Sequence, residues 1–439
     1  MVESQVGGMS VRRNAVHGLL GFALPTVVVL VSYSVLVGRL GAAAFGVYLL
    51  AASVSGAMMF LDPGFSAATL KFVAEDLARD RLDAAADVIV TSAAYYSVMG
   101  IAGGALVAAL APWLTTLLKI DASLAGDAVW AFRLAGLQFA VFLPATVFIS
   151  IAKGLQQFDR STVFLSLLSI ATYGGAMLAA VTGAGLVGAV AAGVAANIAA
   201  LMVIGWDGIR LCRGRGINLG KARPTAFRRM FGFGWVMTVN SLSGFLLYHV
   251  QKYLVGAAMG PAAVTIYQTA AVVPSKVHAA VNAATEVMFP FSSASRDRAG
   301  LRRVYIRMLG GSAVVAVVGF AALVVLARPL LTLWMGAPIA RSVAPLVPVF
   351  SLAYLFLALS PAPFHLANGL GRPGLNTVFY AMNALLNLAL IGVFALTGLT
   401  LEKFAWAFAA ANILTSVLYQ AAIETVIWRR KPELSEAAA

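Results

Sequence analysis

Lys276 stands inside a stretch that is otherwise almost wholly apolar, and no other cation is so placed as clearly. Arg39, Arg133 and Lys252 stand at the edges of comparable stretches. A Lys or Arg facing water inside a low-dielectric region can pair with the oxygens of an anion and lower its cost of passage. The same residues have structural uses. Arg39, Arg133 and Lys252 can anchor helix ends with their heads reaching outward, and Lys276 can pair with Glu286 or cap a carbonyl. Asn240, His249 and Asn282, with Asn197, add neutral polar groups to these stretches. Such groups suit a ligand rich in hydroxyls, or ordinary bonds between helices. His249 can also titrate near neutral pH and couple movement to protons, or simply pack.

The acidic counterpart is LDPGFSAATLKFVAED at 61–76. Counting about 20 residues from position 43 at 1.5 Å each reaches the far side of a hydrocarbon layer near 63. Asp62 then lies close to the headgroups, with Lys71 and Glu75 beyond them. Pro63 and Gly64 break the chain, Asp62 can cap the free amides that follow, and Lys71 and Glu75 are spaced to pair along one helix face. The segment is expected to be a capped extension leaving the membrane, with a gating or substrate-entry role as the other reading.

Enzyme chemistry finds little to work with. There is no Gly-rich loop ending in Gly-Lys-Ser/Thr, no HExxH, and four His with the single Cys212 make no metal signature or dithiol. No cofactor or metal is expected. A membrane glycosyltransferase or ligase would need carboxylates in a large polar loop, and the segment 111–129 offers only Asp121 and Asp127. It remains a remote alternative, as does a non-transporting scaffold.

The elements that must position these residues are membrane helices. Of 439 residues, 61% are hydrophobic and 11% charged, with mean hydropathy +0.89. Charges cluster between apolar runs of about 20 residues, the length that spans ~30 Å. Twelve spans are expected, at roughly 17–38, 43–63, 86–110, 130–151, 162–182, 185–206, 229–250, 262–283, 306–327, 345–366, 375–397 and 404–426. Pro144 weakens the fourth, and Pro348, Pro361 and Pro363 the tenth. Residues 1–11 lack secretory-signal features, so the first helix is expected to remain.

Basic residues orient the spans. With the amino terminus inside, Arg12, Arg13, Arg79, Arg81, Lys153, Arg160, the run at 212–229, the run at 295–303, Arg372 and WRRK at 428–431 all fall on the cytoplasmic side. Both termini are then cytoplasmic, and the +14 net charge is a topology signal with no folded basic groove for nucleic acid. The chain divides into a six-helix lobe at 1–206, a basic linker at 207–228 and a six-helix lobe at 229–439. GRLGAAAFGVYLLAA at 38–52 resembles GAAMGPAAVTIYQTAA at 256–271, and GFALP at 21–25 resembles GFGWV at 232–236. Parallel repeats of this kind form lobes around a central cavity. Chance likeness among Gly and Ala is the competing explanation.

GLLGFALP at 18–25, GRLGAAAFGVYLLA at 38–51, LDPGFSAATLKFVAE at 61–75, KGLQQFDR at 153–160 and HVQKYLVGAAMG at 249–260 carry a family resemblance. In their order and spacing the chain resembles the polysaccharide-exporting flippases of the multidrug/oligosaccharidyl-lipid/polysaccharide exporter superfamily, over essentially its whole length. The resemblance implies an alternating-access transporter in the bacterial inner membrane, moving undecaprenyl-diphosphate-linked oligosaccharide outward. It implies membrane lipids and polysaccharide polymerases as partners. Gln251 precedes Lys252 where many members have Asp, which removes a carboxylate for pairing at that point. The rival within the superfamily is a cation-coupled multidrug antiporter, which needs an embedded acid. Asp62 and Glu286 both lie toward the expected cytoplasmic boundary, whereas Lys276 favours an anionic substrate.

Overall fold

The computed structural model describes residues 7–57, 62, 64–155, 157–295 and 297–429, and every regular element among them is helical. Nine of these helices are long and apolar enough to cross a membrane. The chain is therefore an all-α, multi-pass membrane protein. The first half runs α1 (Gly7–Ser53), α2 (Phe65–Ala78), α3 (Leu82–Leu117), α4 (Ala122–Gly154), α5 (Phe158–Val181) and α6 (Gly185–Gly214). Then come α7 (Pro224–Phe245), α8 (Gln251–Met259), α9 (Pro261–Thr285), α10 (Met288–Ala294) and α11 (Arg298–Met335). The chain continues with α12 (Ala337–Val343), α13 (Val347–Leu357), α14 (Pro361–Gly369), α15 (Gly374–Ala395) and α16 (Leu401–Ile423). Two compact units are formed, Met1–Thr265 and Ile266–Ala439. The first reaches past the basic segment because Arg223 and Arg229 bind Asp87 and Asp76 on α3 and α2.

Helix α1 holds two segments, divided at Gly41, whose φ of 79° and ψ of 166° are not helical. Gly260 adopts nearly the same conformation, φ 80° and ψ 175°, between α8 and α9. Only glycine reaches such a φ without strain. Matching these two turns aligns Tyr48 with Tyr267. The turns also touch: a Cβ on Gly46 would lie 1.9 Å from the Pro261 carbonyl oxygen, and Thr265 Oγ1 donates to the Ala42 carbonyl at 2.6 Å.

The second expected span differs from a single helix ending near 63. Its α-helix stops at Ser53 and tightens into a 3-10 turn at Val54–Ala57. Two bonds, one local and one from far along the chain, favour the change. Ser53 Oγ donates back to the Leu49 carbonyl at 2.7 Å, and Tyr253 donates its hydroxyl to the Leu50 carbonyl at 3.3 Å. The second bond occupies an acceptor that α-helix would offer to Val54.

Packing of α3 on α4 depends on small residues. A Cβ on Gly104 would meet the Gly136 carbonyl oxygen at 2.4 Å, and one on Gly136 would meet that of Gly104 at 2.5 Å. Backbones this close are how membrane helices gain dispersion energy without a hydrophobic driving force. The same seam answers Pro144, which leaves α4 unbroken. Proline removes the donor to the Ala140 carbonyl, and Gly100 packs against that oxygen, where a Cβ would be at 2.8 Å. The tenth span does break: α14 restarts at Pro361, at the first position of a helix, where a missing N–H costs nothing.

Candidate functional site

A π turn at Leu246–Val250 connects α7 to α8, and extra-wide turns of this kind are frequent at functional sites. It sets His249 against the 3-10 turn of α1, where a Cβ on Gly56 would meet His249 Nδ1 at 2.2 Å. The imidazole stacks on Phe245 with centroids 5.7 Å apart, and Nδ1 is buried with no hydrogen-bond partner. Lys252 follows three residues on, one turn along the same face, half-buried. Glycine at 56 is required here by space. Any larger residue would push the ring away.

Arg39 and Lys252 are expected at corresponding outer ends of the first and seventh spans, and the structure gives them different surroundings. Arg39 lies two residues before Gly41 and is exposed. Lys252 lies eight residues before Gly260, about 12 Å from that turn along a helix and so about 9 Å further from it than Arg39 is from Gly41. Arg133 is exposed and sits over the Trp130 ring at 5.2 Å, a cation–aromatic pair suited to a membrane interface. Two further cations cap helix ends: Lys119 donates to the Ala258 carbonyl at 2.8 Å, and Lys403 to that of Gly398 at 2.6 Å.

Lys276 follows Pro274 on α9 and is half-buried. It lies fifteen residues from Pro261, about 22 Å along the helix. Among the described residues no ion pair includes it, and Glu286 is exposed beyond the helix end. Asn282 is exposed near that end. Asn240 lies on α7, its side chain outside the described residues.

Asp62 meets the start of α2. Its Oδ1 accepts from the Ser66 amide at 3.2 Å and its Oδ2 from the Ser66 hydroxyl at 2.5 Å. Gly64, at φ 74°, turns the chain into the helix; Pro63 lies outside the described residues. If these bonds are the role of Asp62, Asp62→Asn keeps an acceptor and retains folding and transport. Asp62→Ala should cost about 0.5–2 kcal/mol, a typical cap loss, measured as lower folded yield. Loss of transport by well-folded Asp62→Asn would instead require the charge.

Glu75 pairs with Arg79 at 3.0 Å and reaches Arg81 and Arg229 at 3.8 and 3.7 Å, where spacing alone pointed to Lys71. Lys71 lies over the Phe72 ring at 5.1 Å. Beside Glu75 is a residue that sequence reasoning missed. Asp76 is completely buried, and both its oxygens are held by Arg229, at 2.7 and 3.1 Å, with Arg81 at 2.6 Å. Arg229 also lies 4.0 Å over the Phe72 ring. Two-point guanidinium binding of this kind fixes geometry as well as charge.

A buried polar stripe was also missed. Asn376 donates to Asn368 Oδ1 at 2.7 Å and accepts from the Tyr419 hydroxyl. Asn383 donates to Asn412 at 3.1 Å and Thr415 at 2.7 Å. The seven-residue step from 376 to 383 marks one helix face and could have been read from the sequence. Asp121 and Asp127 are exposed at the start of α4. Among the described residues no cluster of three His, Cys, Asp or Glu could hold a metal.

Solved structures share this multi-pass helical fold. An inward-facing multidrug resistance transporter of the MATE family in the MOP superfamily matches with TM-score 0.74 and 13% identity, covering 93% of this chain and 98% of that one. Lipid II flippase MurJ, inward closed, matches with TM-score 0.72 and 14% identity, covering 93% and 87%. A Shigella flexneri protein named "Putative O-antigen transporter" is 23% identical over 395 residues, 87% of this chain and 90% of its own. The family model described as "Polysaccharide biosynthesis protein" matches residues 35–344. The chain belongs to this polysaccharide biosynthesis family.

Proposed function

We propose that the protein is an alternating-access flippase moving undecaprenyl-diphosphate-linked oligosaccharide from the cytoplasmic to the outer leaflet of a bacterial inner membrane. The product would be taken up by a polysaccharide polymerase. The observation that carries this reading is Lys276, a half-buried cation that no carboxylate neutralises among the described residues. Acids are placed differently: among those residues each lies within about two helical turns of a helix end or in a connection. An interior that offers positive charge and neutral polar groups lowers the cost of a diphosphate more than that of a cation. Family membership and the Shigella flexneri relative agree with it.

In this reading the chain has twelve spans and cytoplasmic termini, with lobes at 1–206 and 229–439 joined by 207–228. Three observations support the count beside the nine apolar helices. Gly41 divides the first of these into two segments, α7 with α8 makes another, and α9 is 25 residues long. All eight ion pairs among the described residues lie in, or within about one helical turn of, segments expected to be cytoplasmic.

A second reading, a cation-coupled multidrug antiporter, is favoured by the solved structures. The multidrug transporter matches at TM-score 0.74 against 0.72 for the lipid II flippase. Likeness at 13–14% identity carries fold alone, so substrate chemistry must separate the two. Paired measurement of lipid-linked oligosaccharide flipping and cationic-dye efflux in sealed proteoliposomes does so.

A further inference from the structure

A cavity of about 290 Å³ lies between the C-terminal end of α1 and the middle parts of α4, α5 and α6. Its polar lining is Tyr48, Gln138, Ser169, Thr172, Tyr173 and Asn197. Tyr48 and Asn197 are only 3% and 2% exposed, yet the Tyr48 hydroxyl and Asn197 Oδ1 have no hydrogen-bond partner within the protein. Asn197 is held from its other side, where Nδ2 donates to Thr172 Oγ1 at 2.7 Å. Tyr48 is fixed by stacking on Phe45 at 5.9 Å. Two buried polar atoms left idle are costly, so rigid groups of this kind call for an occupant that bonds to both.

The lining restricts that occupant. It contains no Asp, Glu, Lys, Arg or His, so an ion would be uncompensated at this depth. A neutral ligand must give a donor to the Asn197 carbonyl and engage the Tyr48 hydroxyl. Gln138, Ser169 and Thr172 add further hydroxyl and amide partners, while the tyrosine rings offer apolar faces. The volume is just under the ~300–1,000 Å³ usual for small-molecule sites, which suits one ring rather than a chain of them. Phe142 and Leu168 form part of the lining and join an apolar cluster with Ile149, Phe164, Leu201 and Ile204.

We propose that this cavity binds a single neutral sugar ring, through the Tyr48 hydroxyl and the Asn197 carbonyl. The assignment rests on the flippase reading and deepens it, adding a polyhydroxyl site within the first six helices to the cation on α9.

Cysteine protection tests it in the full-length protein. In a Cys212→Ser background, Ser169→Cys is exposed to methyl methanethiosulfonate in proteoliposomes. Methyl glycosides of glucose, galactose, mannose and N-acetylglucosamine serve as probes. At least one should slow modification. Tyr48→Phe and Asn197→Leu should each weaken that protection about fivefold, the factor of one neutral hydrogen bond, without changing the unprotected rate. Modification that none of the four slows, no modification at all, or protection unchanged in both variants overturns the site. Flipping by the native protein is measured separately. Glycoside protection without lipid-linked-sugar flipping removes the flippase reading and leaves the pocket; flipping without protection removes the pocket alone.

Discussion

Lys276→Gln should slow flipping of lipid-linked oligosaccharide by about 30-fold or more while leaving expression and helix content unchanged. The magnitude follows from removing one partner of a poorly solvated charge pair, about 2 kcal/mol or more. Glutamine keeps a similar length and still donates, so the loss isolates charge. Lys276→Arg retains the charge but presents a wider, planar donor set, and reduced flipping by that variant would show that the site is shaped for an ammonium group. Initial flipping rates in proteoliposomes, normalised to folded protein, measure both. Native rates for Lys276→Gln would remove the residue from the mechanism.

The second large effect is on folding. Asp76→Ala should destabilise the protein by about 2–3 kcal/mol, below the ~3–5 kcal/mol for breaking a fully buried pair, because its arginines can still reach water. Arg229 and Arg81 are 33% and 46% exposed against 0% for Asp76. Arg229→Ala leaves the buried carboxylate to Arg81 alone and should cost about as much as Asp76→Ala. The double variant should cost less than the sum, since the two residues share one interaction. Thermal unfolding followed by intrinsic fluorescence reads all three. Additive losses would show that the pair does not act as one unit.

Which features were legible depends on the distance over which each is decided. Apolar runs of about 20 residues are local, and the long helices follow from them. Helix α9 is diluted by Gln268, Ser275, Lys276 and His278 and falls outside the nine apolar helices for that reason. The break after Ser53 was invisible because Tyr253, 203 residues away, takes the Leu50 carbonyl. Asp76 looked like one more charge at a helix end, since its main partner is 153 residues along the chain. Arg39 and Lys252 were placed at the outer ends of the first and seventh expected spans from span boundaries alone, whereas the backbone angles shared by Gly41 and Gly260 put them at different distances from equivalent turns. The 376–383 asparagine step was present in the sequence, but its partners on α16 required the fold.

The most direct measurement sets both substrates against the native protein in sealed vesicles: translocation of an undecaprenyl-diphosphate-linked oligosaccharide and efflux of cationic dyes. A half-buried Lys276 without a neutralising carboxylate predicts oligosaccharide flipping with no dye efflux above protein-free vesicles. Dye efflux without oligosaccharide flipping would contradict the account and assign the fold to cation export.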